Sequence, residues 1–297
     1  MGSIPPMSSE EWERVFSEYK KIPEYKIEKP HLDLDGFKLI FFWEYFHRLF
    51  ARVIGLVFFF PLVYLAIKKR LSNLWFKRLG LAFCLGGLQG AVGWFMVRSG
   101  LSERVDVSHY RLALHFGLAL FILAYLYWLS FKIRPIKKLE LGPRYKKSFH
   151  FFLAILCVQL IYGAFVAGID AGIGFNTFPK MGKHWLPPGL FHLNLFDFLF
   201  ESNVSLQFIH RYLGVGLFLW GSTLSLKLLL IDKRVDLRKI LFPFALALSA
   251  QFFLGVWVIV SRVPMELASA HQMLATFLLL ATLRIVYTQN GVGIRRA

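Results

Sequence analysis

The chain has 297 residues, 56% of them hydrophobic and 17% aromatic, with a mean hydropathy of +0.52, more apolar than a soluble protein needs. Thirty-five basic residues against 18 acidic give a net charge of +17. The cations fall in short clusters between apolar runs and form no basic stripe, which excludes nucleic acid as a partner. Disorder, a collagen-like repeat and a disulfide scaffold are excluded as well, leaving an all-α polytopic membrane protein.

In chain order, residues 1–38 read as a polar, proline-punctuated, outward-facing segment. A short helix is expected around Ser8–Lys21, capped by Ser8 or Ser9. The segment has no apolar stretch of a secretory signal, and its acids argue against a transit peptide. Seven apolar runs follow, at about 39–67, 79–97, 110–131, 149–169, 205–231, 240–261 and 268–287, each long enough to cross a hydrocarbon core of ~30 Å as helix. Cys84 and Cys157 fall inside two of these runs and are expected to be small core residues.

The connections alternate in charge. Lys68, Lys69, Arg70, Lys77 and Arg78 separate the first two spans. Lys132, Arg134, Lys137, Lys138, Arg144, Lys146 and Lys147 separate the third and fourth, and Lys227, Lys233, Arg234, Arg238 and Lys239 the fifth and sixth. Arg295 and Arg296 end the chain. By the positive-inside rule these basic sites and the C-terminus face the cytoplasm or matrix, and the other loops face outward. The loop from Asp170 to Val204 is long and rich in Gly, Pro and aromatics, a composition often found in functional loops.

The spans repeat. Glu44-Tyr45-Phe46-His47-Arg48 in the first span matches Gln207-Phe208-Ile209-His210-Arg211 in the fifth. Gln89-x3-Gly93-Trp94 in the second matches Gln251-x3-Gly255-x-Trp257 in the sixth, and His115 in the third matches His271 in the seventh. Two pseudo-repeated transmembrane bundles follow, with residues 39–148 forming the first half and 149–297 the second. The fourth span has no counterpart before the first, although a complete duplication would have four plus four helices. The chain therefore reads as beginning after its first helix, through an artificial start at Met1-Gly2-Ser3, a misassigned start site or a real loss.

His31, His184 and His192 in loops, and His109 and His150 at helix ends, are given no role. His47, His115, His210 and His271 are different. They sit in apolar spans, near the outer ends, at equivalent places of two repeats, and ionisable groups in spans are costly and usually functional. Zinc would want closer spacing or carboxylate and thiolate company, whereas two histidines from facing helices suit the axial positions of a haem. Gly55, Gly93, Gly214 and Gly255 admit either a flat macrocycle or ordinary small-residue helix packing. Arg48, Arg52 and Arg211 admit either pairing with propionates or snorkelling to headgroups.

The halves differ at one position. Glu44 precedes His47 by one helical turn, on the same face, whereas Gln207 stands there in the second repeat. A carboxyl group can exchange a proton and an amide of the same shape cannot. This nominates the first half as a reaction site and the second as an electron-transfer site. The competing reading is that Glu44 merely salt-bridges Arg48 or Arg52 at the interface.

These residues resemble haem A synthases. The resemblance is carried by Glu44-Tyr45-x-His47-Arg48, Gln89-Gly90-x2-Gly93-Trp94-x-Met96-Val97-x-Ser99-Gly100-Leu101 and Tyr110-Arg111-Leu112-Ala113-x-His115. Gly163-Ala164-Phe165-Val166-Ala167-Gly168-x-Asp170-Ala171-Gly172, Asn176-x-Phe178-Pro179-Lys180-Met181-Gly182, Gln207-Phe208-x-His210-Arg211 and Ala270-His271-Gln272 carry it through the second half. It implies two four-helix bundles, each holding a haem between paired histidines, and oxidation of the C8 methyl of haem O to the formyl of haem A for cytochrome oxidase. By the resemblance, His210 and His271 ligate a resident haem b, His47 and His115 belong to the substrate-haem half, and Glu44 is the essential acid. The family's first helix is absent, which leaves the first bundle one wall short. The outer-loop cysteine pair of some bacterial members is missing too, and with Phe178-Pro179-Lys180-Met181 this resembles the mitochondrial and alphaproteobacterial branch.

The implied partners are haem O and the haem O synthase that supplies it, a ferredoxin-type electron donor docking on the basic inner loops, and the lipid bilayer. A homo-oligomer is left open. The mitochondrial inner membrane is favoured over a bacterial plasma membrane, with the haem sites near the outer face. Two other classes fit the four histidines alone: a bis-histidine di-haem cytochrome, and a haem carrier or assembly factor for the oxidase.

Overall fold

The computed structural model of the chain describes residues 5–100, 105–134 and 138–290. Leu101, Lys137, Arg295, Arg296 and Met1-Gly2-Ser3 lie outside them. Among the described residues there are nine α-helices and no strand: α1 (Ser9–Tyr19), α2 (Pro23–Ile27), α3 (Leu34–Ile67), α4 (Asn73–Gly100), α5 (His109–Ile133), α6 (Pro143–Gly168), α7 (Asn203–Ile231), α8 (Val235–Val260) and α9 (Met265–Asn290). Helices α3 to α9 are the seven expected spans, each long and apolar enough to cross a bilayer, and the protein is an integral membrane protein. Most extend several residues beyond the apolar runs, because hydropathy marks where lipid begins and capping marks where the helix does.

Local chemistry sets those ends. Ser8 caps α1 in a reciprocal capping box, its hydroxyl accepting from the Glu11 amide while the Glu11 carboxylate accepts from the Ser8 amide. The Asp33 carboxylate accepts from the Gly36 amide to start α3, and the Ser202 hydroxyl accepts from Ser205 to start α7. Pro143 opens α6, where its missing N–H costs nothing. Between α7 and α8, Arg234 closes on the Asp232 carboxylate and donates to the Glu140 carbonyl at 3.0 Å. That guanidinium holds the Asp232 carboxyl below the ordinary range.

The chain divides into two compact units at Ile122/Leu123, inside α5. In the first, α1 and α2 dock on the start of α3 through a small aromatic core of Phe16, Tyr19, Phe37 and Phe41, with Trp12 and Tyr25 packed against it. Here α4 pairs with α3, and α5 is tied to α4 by Arg111, which donates to the Phe95 carbonyl at 2.8 Å and lies over its ring. In the second unit α6 packs on α7, α7 on α8, α8 on α9 and α9 back on α6, a closed four-helix bundle. Phe149, Phe152, Phe244, Leu237, Leu241 and Ile285 are its fully buried centre.

The two units differ in how far they cover their own helices. Of the most apolar stretch of each span, 6%, 6% and 11% is buried within the protein for α3, α4 and α5, against 22% to 39% for α6 to α9. Cys84 and Cys157, expected in the core, are both free and exposed. In a membrane protein lipid does the work of a core, so an apolar run does not tell a residue that faces lipid from one that faces a neighbouring helix.

Candidate functional site

The predicted histidines fall as two pairs, one in each unit. His47 on α3 lies within electrostatic reach of His115 on α5, and His210 on α7 within reach of His271 on α9. His115, His210 and His271 are half-buried, and His47 is exposed.

Three of the four are gripped by a glutamine and a glycine one turn apart on the preceding helix. On α4, Gln89 Nε2 donates to the His115 carbonyl at 3.0 Å and lies 3.2 Å from Nδ1 and 3.3 Å from Nε2 of its ring. A Cβ added at Gly93 would meet His115 Cε1 at 2.9 Å. On α6, Gln159 Nε2 donates to the His210 carbonyl at 2.9 Å and lies 3.1 Å from its Nδ1. A Cβ at Gly163 would meet His210 Cε1 at 3.2 Å. On α8, Gln251 Nε2 lies 3.1 Å from His271 Nε2, and a Cβ at Gly255 would meet His271 Cε1 at 2.7 Å.

These contacts decide between the two readings of the glycines in part. At Gly93 and Gly255 the close neighbour is an imidazole; at Gly214 it is the Gln159 amide, 3.2 Å from an added Cβ; at Gly55 there is open space. The sequence reading did not reach Gln159-x3-Gly163. Its signal was present, the same spacing as Gln89-x3-Gly93 and Gln251-x3-Gly255, but the fourth span was set aside as the one without a repeat partner.

Glu44 and Arg48 are paired, Oε1 to NH1 at 2.7 Å, with side chains 28% and 30% exposed. Arg52 is exposed, one turn further along α3. In the second unit the equivalent residues do something else. The buried Gln207 donates through Nε2 to the Gly172 and Phe175 carbonyls, each at 3.1 Å. Arg211 donates to the Thr177 carbonyl at 2.7 Å and to the Phe175 carbonyl. Both pin the 170–202 loop onto α7. Arg211 also lines a cavity of about 260 Å³ with Phe178, Pro179, Trp185, Tyr212 and Val215.

The donor set fits a haem iron better than a bare ion. Among the described residues no three or more His, Cys, Asp or Glu gather where they could hold a metal ion, while each unit brings two imidazoles together. The Oε1 atoms of Gln89, Gln159 and Gln251, and Nδ1 of His271, are buried and find no hydrogen-bond partner among the described residues. Polar atoms left so at an imidazole are expected where the ring changes its bonding on taking a metal.

The chain is 40% identical over 286 residues to a haem A synthase of Azorhizobium caulinodans, covering 95% of this chain and 81% of that protein. It is 38% identical over 275 residues to that of Parvibaculum lavamentivorans, covering 91% and 78%. The haem A synthase of Pelagibacter ubique is 38% identical over 291 residues, covering 98% and 85%. The family described as COX15-CtaA, cytochrome oxidase assembly protein, matches residues 1–283, and the chain belongs to that family.

Proposed function

We infer that the protein is a haem A synthase, an integral-membrane oxidoreductase whose substrate and product are haems. The reaction proposed is oxidation of the C8 methyl of haem O to the formyl of haem A by two successive hydroxylations and loss of water, a four-electron oxidation that draws on an external oxidant, dioxygen where the donor is a ferredoxin. The observation that carries this reading is the contrast between Glu44 and Gln207. Both stand one turn before a histidine, yet Gln207 is consumed in holding a loop, while Glu44 presents a carboxylate beside His47 with one oxygen on Arg48.

His47 and His115 hold the substrate in the first unit. Arg48 fixes the Glu44 carboxylate through Oε1, and Glu44 exchanges a proton at its other oxygen as the methyl group is oxidised. His210 and His271 hold a resident haem b, which when bound supplies one-electron transfer. Among the described residues Arg211 Nε is buried and finds no partner, at the wall of the cavity it lines with Phe178, Trp185 and Tyr212, where a propionate would meet it. The four histidines are assigned to the outer side of a mitochondrial inner or bacterial plasma membrane, with the basic loops inside receiving a ferredoxin-type donor. Haem O synthase is the proposed source of substrate.

The test is separation and mass detection of haems extracted from the protein expressed beside a haem O source, for wild type and Glu44→Gln. Haem A or its hydroxylated precursor in wild type, lost in the variant, is expected. Full haem A formation by Glu44→Gln would refute the role of the acid, and haem b alone in wild type would refute the oxidase reading.

A further inference from the structure

We propose that residues 185–196, in the long connection between α6 and α7, form an interfacial membrane segment. Its partner is the lipid of the leaflet opposite the basic loops, with Leu186, Phe191, Leu195 and Phe196 seated among the upper acyl chains. The proposal needs only that α6 to α9 cross a bilayer, and it is independent of which haem the protein holds.

The argument begins with depth. The basic turn Lys233-Arg234 lies between α7 and α8. From the α7 end at that turn, Ile231, up to Tyr212 is about 29 Å of helix, and from the α8 end, Val235, up to Phe252 is about 26 Å. Both fall short of the ~30 Å of a hydrocarbon core. Yet the Tyr212 hydroxyl donates to the Trp185 carbonyl at 2.6 Å, and the Phe252 ring lies 5.9 Å from that of Phe178. The connection therefore does not ride above the spans. It folds back along α7 and α8 to the hydrocarbon boundary. It returns at Phe200, whose ring lies 6.3 Å from that of Phe165 in the last turn of α6.

Hydrogen bonding agrees with that depth. Irregular backbone in water leaves its carbonyls to the solvent, whereas at the edge of the lipid it needs protein donors. Here α7 supplies them: Gln207 to the Gly172 and Phe175 carbonyls, Arg211 to those of Phe175 and Thr177, and Tyr212 to that of Trp185. Thr177 Oγ1 donates to the Lys180 carbonyl and accepts from the Gly182 amide, and Met181 and His184 exchange backbone bonds. Pro179, Pro187 and Pro188 have no N–H to satisfy.

The exposed side chains then meet the solvent they suit. Trp185, Leu186, Phe191, Leu195 and Phe196 are 52% to 80% exposed, and large apolar residues gathered on a surface mark an interaction site. No Asp or Glu occurs from Ala171 to Phe196, whereas Lys180 and Lys183 do, and Lys180 Nζ lies 5.7 Å over the Trp185 ring. Tryptophan beside a snorkelling lysine is the chemistry of the headgroup layer, and a segment with cations and no acids suits an anionic one. A water-borne protein could not reach a surface at this depth, so lipid is the occupant.

The test uses the full chain with Cys84→Ala and Cys157→Ala, in nanodiscs of phosphatidylcholine and phosphatidylglycerol, with one new cysteine at a time carrying an environment-sensitive fluorophore. Leu186→Cys, Phe191→Cys and Phe196→Cys are expected to be quenched by phosphatidylcholine bearing a nitroxide near the top of its acyl chain. Their emission is expected to be blue-shifted against that of Lys233→Cys. Lys233, exposed in the turn between α7 and α8, is the water reference and is expected to respond to aqueous iodide. Leu246, 60% exposed in mid-span, gives the lipid reference as Leu246→Cys. Failure of the lipid nitroxide to quench any one of the three overturns the proposal. Quenching there by iodide alone would put the segment in water, and quenching by neither would mean that protein covers it.

Discussion

Replacing Phe37 by alanine is expected to release the two N-terminal helices while leaving the seven spans in place. Phe37 is fully buried, and its ring lies 5.2 Å from that of Phe16 and 4.8 Å from that of Tyr19, with Trp12 and Phe41 edge-on at 6.4 and 6.2 Å. Truncating a buried phenylalanine costs about 3–5 kcal/mol. Helices of 11 and 5 residues are too short to persist in water undocked, so nearly all of that loss falls on the docking equilibrium. At about 1.4 kcal/mol per tenfold, the undocked population rises roughly 10² to a few times 10³-fold. Amide hydrogen exchange in detergent or nanodiscs reads this directly, as faster exchange across Ser9–Tyr19 with α6 to α9 unchanged. Trp43→Ala, which removes an aromatic 61% exposed on the same helix, is the control and is expected to change nothing there. Unchanged protection of α1 in Phe37→Ala would refute the claim that this aromatic core holds the segment.

Burial, and then the Glu24 carboxylate, push the Tyr19 hydroxyl above the ordinary tyrosine value. Its folded-state value exceeds the unfolded one, so docking is at full strength below pH about 10 and weakens as the pH climbs above it. Protease sensitivity of residues 9–27 against pH checks this, and Tyr19→Phe is expected to remove the dependence. Gly221→Ala places a Cβ 2.5 Å from Leu248 Cδ2 and 2.9 Å from Phe152 Cε2. The overpacking cost of about 1–3 kcal/mol outweighs about 1 kcal/mol of helix propensity, and the thermal midpoint is expected to fall. The same change at Gly87, with nothing within 4 Å, is expected to leave the midpoint level or raise it. Arg211→Leu strands the Phe175 and Thr177 carbonyls, and limited proteolysis is expected to cut the 170–202 loop at least tenfold faster.

The spans were legible because lipid imposes one rule on every helix that crosses it: about 20 apolar residues with the backbone satisfied internally. The four histidines were legible for the converse reason, as the polar residues that break this rule at matching places. Packing was not. Cys84 and Leu156 stand in equally apolar runs, yet Cys84 is exposed and Leu156 is 3% exposed, and nothing local distinguishes them. The role of Gln207 was also beyond reach, since the carbonyls it binds lie 32 and 35 residues away in an irregular loop. The contact between Glu44 and Arg48, by contrast, is an i, i+4 pair on one helix and was among the sequence-level alternatives.

That ion pair does not displace the catalytic reading of Glu44, and magnitudes say why. A pair with both side chains nearly a third exposed is worth roughly 0–1 kcal/mol once solvent screening is allowed for, too little for the fold to depend on it. Loss of a general acid–base group costs typically 10²- to 10⁴-fold in rate. Glu44→Gln therefore separates the two roles, with unfolding barely changed and turnover lost if Glu44 moves protons, and neither changed if it only pairs. The surroundings favour the first. A substrate must enter and leave, while a resident group must stay. In the unit with Glu44 the helices cover little of one another and His47 is exposed. In the unit with Gln207 four helices close on themselves, and the Gln207 amide and the Arg211 guanidinium clamp a loop onto α7. On the proposed reading, one copy of the repeat exchanges its occupant and the other keeps it.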